Sequence, residues 1–206
     1  MKKIRIAALG LLMVTLLNSC LLTLYPIYTD KDVVFRESII GHYKKIKKDE
    51  LEFMDIESLA SYKGTLTPAI SAIKNKGYLV TVKDENGRVQ TIMIAFVVGL
   101  NNGFYMDFMQ VPTPGRDAFF ETMFLPMHAV YRLRFEPTGK NLSLQWFSSG
   151  FLTELIEKKK IRIRNEEINH DQVITASTAD LQQYIIKYGN LAEAYEKELE
   201  TYIKYE

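Results

Sequence analysis

The sequence predicts an α+β fold built on a mainly antiparallel β-sheet with short helices at its periphery. Three observations carry that reading. Apolar residues alternate at period two through the middle of the chain, from Tyr78 to Phe108. The alternating runs are separated by Asn86-Gly87 and Asn102-Gly103, dipeptides that favour tight hairpins. Helical signals are confined to short stretches near residue 70, near residue 120, near residue 150 and after residue 177.

The chain starts with Lys2, Lys3 and Arg5, followed by an almost wholly apolar run over residues 6–17 and then Asn18, Ser19 and Cys20. A basic start, about a dozen apolar residues and a small residue before a cut make up a secretory signal. The run is short of the roughly 20 residues a spanning helix needs. Leu17-Asn18-Ser19-Cys20 resembles the lipobox of bacterial lipoproteins. The resemblance implies diacylglycerol on the sulfur of Cys20, cleavage before it and acylation of the new amine. One acyl chain binds a bilayer only reversibly, whereas two or three make a lasting anchor. Residues 1–19 are thus expected to be a signal peptide. Residues 20–36 are expected to be anchor and apolar tether, and residues 37–206 a single domain. Leu21 after the cysteine, with no acidic residue before Asp30, favours the periplasmic face of the outer membrane. The tether is apolar almost from the anchor onward, so it should lie on the membrane or fold back onto the domain.

Residues 41–48 and 50–55 read as the first two strands. Thr67-Pro68 looks like a helix cap followed by proline at the first helical position, with Gly77 past the end. That predicts a helix over residues 68–76, and residues 59–66 have room for a further turn. Residues 78–83, 90–98 and 104–110 form a meander. The middle run is apolar on both faces, so it should be central and covered on both sides. A short helix is expected over residues 117–124 and strands over residues 127–135 and 142–146. Ser149 is placed to cap a helix over residues 151–158. Ile161 and Ile163 alternate with Arg162 and Arg164 as in an edge strand, and residues 173–176 suggest a last strand. Ser177 and Asp180 form a capping box before a stripe of Leu181, Tyr184, Ile185 and Tyr188, which Gly189 closes. Leu191, Tyr195, Leu199 and Ile203 repeat every four residues, predicting a second C-terminal helix. Seven or eight such strands can roll into a barrel. Gly41-His42-Tyr43 stands where lipocalin-like barrels often carry Gly-x-Trp.

Several segments in order, Tyr25-Pro26-Ile27-Tyr28-Thr29-Asp30-Lys31-Asp32-Val33-Val34-Phe35, Gly41-His42-Tyr43, Met106-Asp107-Phe108, Leu125-Pro126-Met127-His128 and Ile174-Thr175-Ala176-Ser177-Thr178-Ala179-Asp180-Leu181-Gln182, resemble a family of bacterial lipoproteins. The family carries no assigned activity, so the resemblance implies the anchor and the domain limits alone.

Composition narrows the function. The chain has 26 Lys+Arg and 25 Asp+Glu; without Lys2, Lys3 and Arg5 the balance is 23 against 25. A near-neutral domain offers no general attraction for nucleic acid. With its one cysteine acylated it has no disulfide, so packing must hold it, helped by eleven Phe and twelve Tyr. His42, His128 and His170 are scattered, a poor metal-ligand set. No nucleophile elbow, phosphate loop or dinucleotide fingerprint occurs, and neither catalysis nor a cofactor is expected.

His128 shares a strand face with Val130, Arg132 and Arg134, opposite Ala129, Tyr131, Leu133 and Phe135. That row suits an anion, or a base formed with Asp107; the competing reading is a solvated face. Phe104, Met106, Phe108, Met109, Phe119, Phe120, Met123, Phe124 and Met127 would either line a pliable apolar cavity or pack as core. The candidate ligand residues are therefore His128, Asp107, Arg132, Tyr131 and Met106, with Cys20 as the lipidation site. Lys44–Lys48 and Lys158–Arg164 are basic runs, able to meet anionic headgroups or to serve as solvated edges. Two functions follow: a membrane-anchored, non-catalytic binding module for a hydrophobic ligand, or an envelope scaffold with a protein partner.

Overall fold

The computed structural model describes residues 21–47, 50–101, 103–111, 127–168 and 171–205. Their eleven strands are β1 (Leu22–Thr23), β2 (Gly41–Lys47), β3 (Glu50–Ser58), β4 (Gly77–Lys83), β5 (Val89–Leu100), β6 (Gly103–Gln110), β7 (His128–Phe135), β8 (Asn141–Trp146), β9 (Asn165–Ile168), β10 (Asp171–Ile174) and β11 (Glu200–Lys204). Three α-helices accompany them: α1 (Pro68–Ile73), α2 (Ser149–Glu157) and α3 (Thr178–Tyr188). Every strand from β2 to β8 pairs antiparallel with the next, and β11 lies between β8 and β2. The result is a closed up-and-down barrel of eight strands. β7 also pairs antiparallel along its first two residues with β1, which pairs parallel with β10, and β10 pairs antiparallel with β9.

The alternation seen in sequence sorts side chains between barrel interior and outer wall. Tyr43, Met54, Ile56, Tyr78, Val80, Ala95, Val97, Met106, Phe108, Leu133, Leu142, Leu144 and Tyr202 fill the interior. The outer wall carries two more cores. One, around Val98, Tyr105, Val130 and Phe147, lies under α2 and α3. The other, around Ile94 and Phe96, lies under α1. β5 is therefore buried on both faces, Ala95 and Val97 inside and Ile94, Phe96 and Val98 outside, as its doubly apolar sequence predicts.

One end of the barrel is plugged. Ile39 is buried in the turn before β2 and accepts a hydrogen bond from the Tyr43 hydroxyl at 2.8 Å. Phe35 stacks on Tyr78, and Arg36 lies over Phe104. Gly139 makes the close approach possible: its φ is +70°, and a Cβ there would meet the Ser38 carbonyl oxygen at 2.0 Å.

The segment expected as a tether is folded back onto the body from its first described residue. Leu21 and Ile27 are core residues, and β1 belongs to the sheet. α3 clamps the following stretch: Thr178 Oγ1 donates to the Pro26 carbonyl, and Gln182 Nε2 to the Ile27 carbonyl and the Asp32 carboxylate.

Three expectations need correction. Residues 161–164 do not form a strand: the α2 C-terminus turns back, Ile161 N–H donating to the Leu155 carbonyl, and β9 starts only at Asn165. The cap of α2 is Ser148, one residue early. The second C-terminal helix is absent. A 3-10 turn at Ala192–Ala194 leads into β11, and Leu191, Leu199 and Ile203 are exposed. The stripe has helical spacing, but β11 alternates Tyr202 into the barrel and Ile203 out. The helix expected over residues 117–124 lies outside the described residues.

Candidate functional site

The structure divides the five candidate ligand residues among three places. β6 and β7 pair with Met109 opposite His128 and Met106 opposite Tyr131. Met106 and Tyr131 therefore point into the barrel and Asp107 and His128 out of it. Met106 is fully buried in packed core. Tyr131 is half-buried, its ring 3.8 Å from that of Trp146. Phe104, Met106 and Phe108 thus pack as interior core, whereas Met109 faces outward; Phe119, Phe120, Met123 and Phe124 lie outside the described residues. Arg132 faces outward further along β7, its guanidinium over the Tyr195 ring, and takes no part with His128.

His128 and Asp107 do come together. His128 Nδ1 lies 2.6 Å from Asp107 Oδ1, and Ile27 N–H donates to Asp107 Oδ2 at 2.9 Å. Both carboxylate oxygens accept, so the imidazole hydrogen sits on Nδ1 and a neutral ring keeps Nε2 as acceptor. The two residues are 5% and 1% exposed. This corrects the solvated-face reading at the His128 end of β7, where the overlying 26–28 segment excludes water; Arg134, at the other end, is exposed.

His128 forms one wall of a pocket of about 300 Å³ between the N-terminal segment, α1 and the β6–β7 wall. Pro26, Ala69, Ile70, Ile73 and Met109 make it mostly apolar, and Tyr28, Asp30, Thr67 and His128 supply polar groups. The Tyr28 ring stands edge-on to His128 and packs on Phe96. Burial, and after it the charges of Asp107 and Asp30, hold the Tyr28 phenol protonated well above its ordinary range. Thr67 Oγ1 caps α1 by accepting from Ile70 N–H, which fixes the helix beside the pocket. An apolar cleft of this size with a few fixed polar groups suits a small ligand held by shape and one or two hydrogen bonds. Sequence reading missed Tyr28, Ile70 and Ile73. The signal for Tyr28 is the unusually apolar Tyr25-Pro26-Ile27-Tyr28 segment, whose sequence is equally that of a tether.

A second polar cluster lies inside the barrel, toward the end away from the plug. Lys45 Nζ sits 3.0 Å from Glu52 and 3.2 Å from Glu200, and the Tyr202 hydroxyl donates to Glu52 at 2.7 Å. Burial, followed by the Glu200 and Glu52 charges, keeps that phenol protonated. Each buried polar group is satisfied, which makes this a structural network that fixes the β2–β3–β11 register.

Among the described residues no group of three or more His, Cys, Asp or Glu is placed to hold a metal ion, and no helix is long and apolar enough to cross a membrane. Cys20 and His170 lie outside the described residues. No family model, no curated protein and no solved structure matches the chain.

Proposed function

We propose that this protein is an exported, lipid-anchored, non-catalytic binding module that holds a small hydrophobic ligand against the outer wall of a lipocalin-like barrel. Export and anchoring rest on the basic start, the apolar run and the cysteine in Leu17-Asn18-Ser19-Cys20. The binding reading rests on one observation, the mostly apolar pocket beside His128. Eight-stranded barrels have interiors just wide enough to be filled by side chains or to hold one small ligand. Here the interior core is filled, and the pocket is outside. About 300 Å³ admits an aromatic ring system or a short acyl segment rather than a whole lipid.

Two measurements test this. Cys20→Ala should move the protein from the membrane to the soluble fraction and abolish labelling by an alkyne fatty acid; retention with an unlabelled sulfur in the wild type sinks the anchor. Native mass spectrometry of the full-length protein in neutral detergent should show a co-purified small mass, lost when Ala69→Trp fills the pocket. A wild type that carries no added mass and shows no thermal shift with fatty acids or aromatic acids overturns the binding reading. The second reading, an envelope scaffold, is favoured by the exposed Leu191, Leu199, Ile203 and Tyr205 near the C-terminus; in-envelope crosslinking through Ile203 would then trap a partner protein.

A further inference from the structure

The basic run after α2 forms a second site, separate from the pocket beside His128. A groove of about 540 Å³ is lined by Lys159, Arg162, Arg164 and Asp180 over Ile156 and Ile161. From these residues we infer that the groove seats the phosphate of an anionic lipid headgroup.

The local backbone explains how the cations are displayed. α2 ends with Lys159 N–H on the Ile156 carbonyl and Lys160 N–H on the Leu155 carbonyl. This turn requires a left-handed residue, and Lys159 occupies it with φ +54°. Glycine is the usual residue at such a helix end because a side chain there is strained. Lysine at this position spends stability to put an ammonium on the groove. Backbone strain held in place by its surroundings is characteristic of binding sites.

The next residues are pinned. Ile163 is buried in the core under α2 and α3, and Arg164 accepts a hydrogen bond from Thr175 N–H at 2.9 Å. Anchoring Ile163 and the Arg164 backbone turns Arg162 and Arg164 outward as two exposed guanidiniums. Among the described residues, no carboxylate forms a salt bridge with Lys159, Arg162 or Arg164, whereas Lys45, Lys83 and Lys158 are each paired. Asp180, the one carboxylate in the groove, is engaged by the Ser177 hydroxyl at 2.7 Å. Three cations, unpaired among the described residues, outnumber the one carboxylate and suit a compact anion. Arginine forks match phosphate oxygens two at a time, while Asp180 and the near-neutral chain disfavour a long polyanion.

The lipid source follows from position. Leu24 N–H donates to the Ile174 carbonyl, and Thr175 N–H to the Arg164 carbonyl. The groove is therefore one strand away from the N-terminal segment. Tyr25 of that segment is 48% exposed, and Ile156 and Ile161 add apolar surface to an otherwise polar groove. The choice of a lipid rests on the proposed anchoring through Cys20, but the groove is separate from the pocket beside His128, and lipid binding in micelles can be read whether or not Cys20 is acylated.

The full-length protein in dodecyl maltoside micelles is titrated with phosphatidylglycerol or with phosphatidylcholine, and lipid adducts are counted by native mass spectrometry. Phosphatidylglycerol adducts are expected at a much lower mole fraction than phosphatidylcholine adducts. Arg162→Gln and Arg164→Gln should each weaken them about fivefold. Lys159→Gly should weaken them similarly while raising the melting temperature, because it removes the left-handed strain. A merely structural lysine would give the second effect without the first. Equal binding of the two lipids, or adducts indifferent to the three substitutions, overturns the inference. Displacement of phosphatidylglycerol by millimolar inorganic phosphate overturns the lipid assignment in favour of a soluble anion.

Discussion

At the scale of the residue, the two His–Asp pairs of the barrel wall do different work. Asp107 is buried and holds two donors from distant parts of the chain, His128 of β7 and the Ile27 backbone of the N-terminal segment. It ties that segment to the barrel and so shapes the pocket. Asp107→Ala, which removes both acceptors without adding bulk, leaves two buried donors unpaired and should cost about 3 kcal/mol or more. Urea denaturation measures this, and a loss under about 1 kcal/mol would mean that the two donors find other partners. Asp55 is the outer pair, accepting from Lys83 and from His42 Nδ1 at 2.7 Å. Burial alone would raise its carboxyl, but these hydrogen bonds outweigh it and hold it below the ordinary range. A carboxyl lowered in the folded state contributes stability above its unfolded pKa and loses it as pH falls through the folded one. Acidification below about pH 4 should therefore destabilise the protein, and Asp55→Asn should flatten that limb. An acid limb of the same steepness in the variant would assign it to other carboxylates.

At the scale of the element, helices stood out in the sequence where side chain and backbone meet within four residues. Thr67 caps α1 and Ser177 caps α3, the latter by accepting from Asp180 N–H. Ser177→Ala should cost about 1 kcal/mol, read from the urea midpoint, with faster amide exchange confined to the first turn of α3. The hairpin at Asn86-Gly87 was equally legible, since Gly87 takes φ +75°. What failed was whatever another element decides. The Leu191 to Ile203 stripe has helical spacing, yet its C-terminal part is a strand because β2 and β8 leave a gap that only a strand can fill. Ile161 to Arg164 alternates like a strand, yet α2 ends in a turn that holds it off the sheet. His128 and Asp107 could each be singled out, but not as a pair. Residues 111–127 separate their strands, and no local pattern across that stretch sets the register that places Met109 opposite His128.

At the scale of the whole molecule, β11 carries the closure. Seven of the eight barrel strands are consecutive in the sequence, and the ring is completed by a strand that arrives after α2, β9, β10 and α3. β11 pairs with β8 over Glu200–Ile203 and with β2 through Ile203 and Lys204. It also brings Tyr202 into the interior core and Glu200 to Lys45. Removing residues 200–206 would strip all of this at once. Two unpaired strand edges would face water, the arrangement that invites strand-to-strand association, and Lys45 would keep only the half-exposed Glu52 as counter-ion. The truncated chain should unfold at lower urea with a smaller slope, since less surface remains to be exposed. Amide exchange should quicken first in β2 and β8, while β5 and β6, paired on both sides and buried against two cores, keep their protection. A truncated protein with the same slope and undisturbed protection in β2 and β8 would show that the ring is not what makes this fold cooperative.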